Sequence, residues 1–269
     1  MWKRLDQKYR LSVPRDLVML VCREIDPDGA RERRRRRLKR RVYHNKGPDY
    51  LWRMDGYDKL KPYGFAIHGC IDGFSRRIMW LEVATTNNDP LVVADYYIQC
   101  IRDIDGVPRV LRSDRGTENT TIAGIQPFLR HKDTDDMRRN RSFMYGRSTA
   151  NQRIEAWWGQ LRRSGAGFWM DFFKDMQDMG LFDSSDLHKD CLRFCFMNLI
   201  QGELDGVKRE WNFHRLRKCR EGHSPGGVPE LLYYAAELEG GISYRFPLDR
   251  KDFSTISSEE YRKPKPRLH

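Results

Sequence analysis

A chain of 269 residues with 39% hydrophobic and 12% aromatic residues, seven of them Trp, holds enough apolar material for one large domain. That excludes global disorder, although 33% of the residues are charged. No apolar run approaches the roughly 18 residues that span a bilayer, and Met1 is followed by charged residues rather than a signal region, so a soluble intracellular protein with no membrane partner is expected.

The net charge of +12 is unevenly placed: residues 1–48 hold 16 Lys and Arg against 6 Asp and Glu. A basic arm of this kind suits a polyanion, nucleic acid being the commonest. It equally suits a solvated linker carrying a nuclear-import signal, and the two readings are compatible. Cys22, Cys70, Cys100, Cys191, Cys195 and Cys219 include no C-x-x-C pair. Reduced cysteines are expected, with Cys70, Cys100, Cys191 and Cys195 in apolar runs as buried thiols, against a lesser chance of a zinc site.

Leu11 to Ile25 reads as a helix, capped by Ser12, with Pro14 in its first turn and Leu17, Leu20, Val21 and Ile25 as an apolar stripe. Asp26-Pro-Asp-Gly29 ends it. One helix cannot bury itself, so it reads as the last piece of a small helical DNA-binding module. Arg31 to Arg41 then places nine basic residues in eleven, including Arg33, Arg34, Arg35, Arg36, Arg37, Lys39, Arg40 and Arg41. These are candidate phosphate contacts. The breaker Asn45-Lys-Gly-Pro48 marks a boundary, giving residues 1–47 as helix and arm.

Strands are expected at Tyr50–Tyr57, Tyr63–Asp72 and Arg76–Val83, the last two joined by the tight turn Gly73-Phe-Ser75. A helix follows over Pro90–Ile104, then a strand at Val107–Leu111 leading to Asp114, then a helix near Asn119–Leu129. His131–Arg147 is polar loop, with a short strand at Phe143–Tyr145. A long helix, capped by Ser148 or Thr149, runs from Ala150 to Gly165. Another spans Leu187–Asn212, with Leu192, Phe196, Leu199 and Ile200 facing inward. Glu221–Pro229 ends the globular part, and residues 226–269 read as a weakly structured tail. Three strands, a crossover helix and a further strand imply an α/β class: a mixed sheet flanked by helices.

Three acids stand out. Asp55 lies in an apolar strand, where an unpaired carboxylate costs several kcal/mol, so it serves either a structural ion pair or a metal. Asp114 lies where a strand ends and Gly116 opens a loop, either as a helix cap or as a ligand group at a strand's carboxyl end. Glu155 shares a helix face with Asn151, Trp158 and Arg162, while Ile154, Trp157 and Leu161 form the buried stripe. That face is either plainly solvated or a metal ligand beside phosphate contacts. Asp58, Asp72, His68 and His44 read as bystanders.

Together the motifs carry a resemblance. Trp52-Arg-Met-Asp55, Ile71-Asp-Gly-Phe-Ser-Arg76, Ser113-Asp-Arg-Gly-Thr-Glu-Asn119 and Asn151-Gln-Arg-Ile-Glu155 resemble the catalytic core of the retroviral-integrase and DDE-transposase superfamily over about residues 48–225. Forty residues separate Asp114 from Glu155, close to that family's spacing. Asp55-Gly-Tyr-Asp-Lys-Leu-Lys-Pro-Tyr63 further resembles transposon-derived integrase-core proteins of animals. The resemblance implies a ribonuclease H-like five-stranded sheet. It also implies Asp55, Asp114 and Glu155 as catalytic metal ligands for two Mg²⁺ or Mn²⁺ ions, and cleavage and joining of DNA by a nuclear homo-oligomer. Asn151, Trp158, Arg162 and Arg163 would then meet DNA beside Glu155. Unlike retroviral integrases, the chain has a single Cys before residue 70. The rival readings are a domesticated DNA-binding protein with little or no catalysis and a nuclease that cuts without joining.

Overall fold

The computed structural model describes residues 13–29, 45–146, 151–217 and 225–256. The chain divides into two compact units, Met1–Val42 and Tyr43–His269, a few residues before the boundary expected at Pro48. In the first unit, helix α1 (Arg15–Ile25) starts after Pro14 and stops at Asp26. Its stripe of Leu17, Leu20, Val21 and Ile25 is exposed. Ser12 and the run Arg31 to Arg41 lie outside the described residues.

The second unit is built on a five-stranded sheet of β1 (Trp52–Tyr57), β2 (Ala66–Asp72), β3 (Ile78–Ala84), β4 (Leu111–Ser113) and β5 (Phe143–Tyr145). Their spatial order is β3-β2-β1-β4-β5. β1 runs antiparallel to β2 and parallel to β4, and β5 runs parallel to β4. This is the mixed ribonuclease H-like sheet that the motifs implied.

Side-chain alternation along the strands feeds two cores. Trp52, Met54, Cys70 and Trp80 pack under helices α2 (Pro90–Asp103) and α3 (Thr120–Leu129), through Val93, Tyr97, Ile101, Ile122 and Ile125. Tyr57, Ile67, Ile71 and Leu81 face the other way. They are covered by α4 (Gln152–Leu161), α5 (Gly167–Asp178) and α6 (Asp186–Phe213). Each large side chain fully buried this way contributes about 1.5–3 kcal/mol. Asp89 caps α2 by accepting from the Leu91 N–H at 3.0 Å, and Pro90 takes the first turn, where its missing N–H leaves no orphan.

β1 and β2 begin two and three residues later than expected, β3 ends one residue past Val83 at Ala84, and the strand expected at Val107–Leu111 splits, with Gly106–Val107 pairing outside the main sheet and β4 covering Leu111–Ser113. Asp58–Tyr63 is a short 3₁₀ helix rather than strand, so Asp58 is not on a sheet face at all. The helix expected to Gly165 breaks into α4, a wide π turn over Arg162–Ala166, and α5. Ile154, Trp157 and Leu161 are buried as expected. On α6, Leu192 and Ile200 are buried, but Leu199 lies about a quarter turn away and is exposed. Cys191 and Cys195 are exposed on the same helix, whereas Cys70 and Cys100 are buried.

The tail differs most from expectation. Helix α7 (Pro229–Tyr234) buries Leu232 and Tyr233, and Glu230 pairs with Arg77 at 2.7 Å. Phe246–Pro247 adds a short antiparallel pair to Gly106–Val107. Helix α8 (Arg250–Ile256) buries Ile256 in the core beneath α2 and α3. Residues 229–256 are thus part of the folded unit.

Candidate active site

Sheet register brings the first two acids level. Arg53 on β1 is paired with Arg112 on β4, and the pairing stops there. Asp55 and Asp114 each lie two residues further on, on the same side of the sheet, where the two parallel strands part. The third acid arrives on α4, whose first turn holds Glu155. Asn151, the residue before that helix, donates from Nδ2 to the Met54 carbonyl at 2.8 Å. This bond ties the start of α4 to the residue preceding Asp55.

Asp114 acts electrostatically on both of the other acids, and Glu155 acts on Asp55. The Asp55 carboxyl is pushed up to about 6, chiefly by burial. The Trp158 N–H pulls it back, and Asp114 and Glu155 raise it further. Glu155 is also raised, by partial burial and then by Asp114. Asp114 accepts from Asn119 Nδ2 at 3.2 Å, and the same amide donates to Glu118 Oε1 at 2.9 Å.

Among the described residues, no group of three or more His, Cys, Asp or Glu side chains is placed so that it could hold a metal ion as it stands. The donor set nonetheless suits a hard divalent cation. Asp114 and Glu155 lie near enough to Asp55 to raise it, and the amide oxygens of Asn119 and Asn151, both buried, have no hydrogen-bond partner. All of these groups are oxygen donors.

Other candidates sort clearly. Arg162 and Arg163 are exposed on the turn after α4. Asn151 and Trp158 were expected at the DNA surface, but both are buried. Asn151 is occupied with Met54, and the Trp158 Nε1–H donates to Asp55 Oδ2 at 2.9 Å. The helix lies against the sheet over more than its apolar stripe, so the face carrying Trp158 is covered too. Asp72 is a turn residue: its Oδ2 accepts from the backbone N–H of Phe74 and Ser75 and from Ser75 Oγ. Asp58 is held by Asn87 and Lys61. His68 is buried between Trp80 and Tyr96, accepts from Trp80 Nε1 at 3.0 Å, and is driven down to about 3 by burial. His44 lies outside the described residues. Sequence reasoning passed over Asn119 and the bond from Trp158 to Asp55. The three-residue step from Glu155 to Trp158 was the available signal for the second.

Residues 42–239 match a family model described as an integrase core domain. Among solved structures, the chain is similar to the HTLV-2 integrase catalytic core domain in complex with magnesium, in a trimeric form. Identity there is 11% and the TM-score 0.42, covering 71% of this chain and all of that one. It is also similar to a chain of the simian T-cell lymphotropic virus intasome in complex with PP2A regulatory subunit B56 gamma, at 14% identity and a TM-score of 0.44. That match covers 72% of this chain and 57% of the viral one, so this chain spans little more than half of that relative. No curated protein matches.

Proposed function

The chain belongs to the integrase core domain family, of integrase- and transposase-like polynucleotidyl transferases, and on that premise we propose that it cleaves and joins DNA with Asp55, Asp114 and Glu155 as its metal-holding acids. The observation that carries the reading is convergence: Asp55 and Asp114 each lie two residues past the paired Arg53 and Arg112, while Asn151 ties the start of the Glu155 helix to Met54 and Trp158 of that helix donates to Asp55 at 2.9 Å. Carboxylates that repel one another in a partly dry crevice are stabilised by a multivalent cation more than by any single Lys or Arg. Bound Mg²⁺ or Mn²⁺ would supply Lewis-acid stabilisation of the attacking and leaving oxygens of a phosphodiester.

The protein's own groups do the rest. Asn151 fixes where Glu155 stands, and Asn119 orients Asp114. Arg162 and Arg163, exposed beside the helix of Glu155, offer charge to DNA phosphates. Arg33, Arg34, Arg35, Arg36, Arg37, Lys39, Arg40 and Arg41 add salt-dependent affinity along the backbone and serve as a nuclear-import signal. The active form is a homo-oligomer on DNA.

The test is direct. Labelled duplex DNA is incubated with Mg²⁺ and either the wild-type chain or Asp55→Asn. Cleaved and joined products from the wild type, falling at least ~10³-fold in the variant, are the expected result. Equal binding by both proteins without products points instead to a domesticated DNA-binding protein. Cleavage without joining points to a nuclease.

A further inference from the structure

Trp157 and Trp158 are neighbours on α4, both buried, with their rings edge to face at 5.4 Å. Their indole N–H groups fare differently. That of Trp157 has no hydrogen-bond partner, so this packing tolerates an indole without one. That of Trp158 meets Asp55 Oδ2 at 2.9 Å.

The sheet is shaped to allow this contact. Asp55 is paired across the ladder with Gly69 on β2. A Cβ at residue 69 would stand 2.8 Å from Trp158 Cη2, closer than such atoms approach. Any side chain there would push the ring off the acid. Tyr57, two residues beyond Asp55, flanks the indole with ring centroids 5.3 Å apart.

The chemistry of the donor matters as much as its place. A Lys or Arg here would orient Asp55 and also cancel its charge. The groups acting on Asp55 are instead a neutral indole, a backbone N–H and two carboxylates. An indole N–H fixes the direction of the carboxylate and leaves the negative charge of the trio for a cation.

We propose that Trp158 is a positioning residue for Asp55: its N–H holds the carboxylate toward Asp114 and Glu155, and Gly69 is the gap in the sheet that lets the ring reach it. This rests on the metal-holding role given above for the three acids. Trp158→Phe keeps most of the ring and deletes the N–H. Gly69→Ala keeps the N–H and displaces the ring.

The experiment measures Mn²⁺ binding to the full-length chain by calorimetry, with melting of the metal-free proteins alongside. Trp158→Phe is expected to melt within a few degrees of wild type yet to bind Mn²⁺ about 10–100-fold more weakly, the range seen when an outer partner of a metal ligand is lost. Gly69→Ala is expected to weaken binding comparably, and it reports independently should Trp158→Phe fold poorly. Excess Mn²⁺ is expected to restore DNA cleavage by Trp158→Phe, which a general packing defect would not allow. Equal Mn²⁺ affinity in wild type and both variants overturns the positioning role and leaves the metal reading standing. A wild-type chain that binds no Mn²⁺ overturns both.

Discussion

Two groups of acids sit at opposite ends of the same pair of strands, and they differ in how their oxygens are satisfied. Asp72, at the end of β2 beside the start of β1, is fully buried with Asp49. Its oxygens receive four bonds, from the backbone N–H of Asp49, Phe74 and Ser75 and from Ser75 Oγ. Asp49 in turn accepts from Trp52 Nε1 and from the Tyr233 hydroxyl at 2.6 Å. Burial raises both carboxyls, Asp49 raises Asp72 further, and the donors to each offset part of that rise. At the other end, Asp55 has the Trp158 N–H and the Gly56 backbone N–H, Asp114 has one amide, and Glu155 is exposed. The lesson is that raised carboxyls alone do not mark a site. The sealed pair is a structural knot joining the start of the core to α7, whereas the trio has fewer donors, half-buried Asp55 and Asp114, an exposed Glu155 and unsatisfied amides nearby.

Breaking the knot is expected to cost the most stability. Asp72→Ala orphans several buried donors, each costing about 1–3 kcal/mol, and the account expects a loss of about 3–5 kcal/mol in urea unfolding. A loss under about 1 kcal/mol would dissolve the contrast. Removing a charge while keeping the shape is a different change, and at Asp55 it is expected to stabilise. Asp55 has a folded value of about 6, above the ordinary 3.8, so its ionisation weakens the fold. The penalty is absent below about pH 4, grows between about pH 4 and 6, and is complete above that. Asp55→Asn should therefore stabilise the metal-free protein at pH 7 by up to about 3 kcal/mol and have little effect below pH 4. Destabilisation at neutral pH would contradict that penalty. A smaller shift sharpens the comparison within the trio: Trp158→Phe should move metal affinity while leaving the melting temperature nearly unchanged.

Much of this was readable in the sequence. The hairpin of β2 and β3 follows from strand alternation closed by Gly73-Phe-Ser75, and the buried stripe of α4 follows from the spacing of Ile154, Trp157 and Leu161. The three acids stood out because Asp55 is a carboxylate inside an apolar strand, while Asp114 and Glu155 lie just after a strand and in the first turn of a helix. What escaped depends on distant partners. Phe246–Pro247 is two residues long and gains its meaning from Gly106–Val107. Tyr233 becomes a core residue through Asp49, far away in the chain. Trp158 looked like part of a polar helix face because periodicity cannot tell that Gly69 opens the sheet to receive it. Leu199 looked inward because one apolar stripe on a long helix says nothing of how wide the covered face is.

The most direct test of the central claim is the melting temperature of the metal-free chain as Mn²⁺ is added, compared between wild type and Asp55→Asn. Wild type is expected to rise with Mn²⁺, gaining about 2.7 kcal/mol at a concentration one hundred times its dissociation constant, while the variant stays flat. A wild-type chain indifferent to Mn²⁺, or a variant that rises equally with it, would contradict the claim that these three acids hold metal.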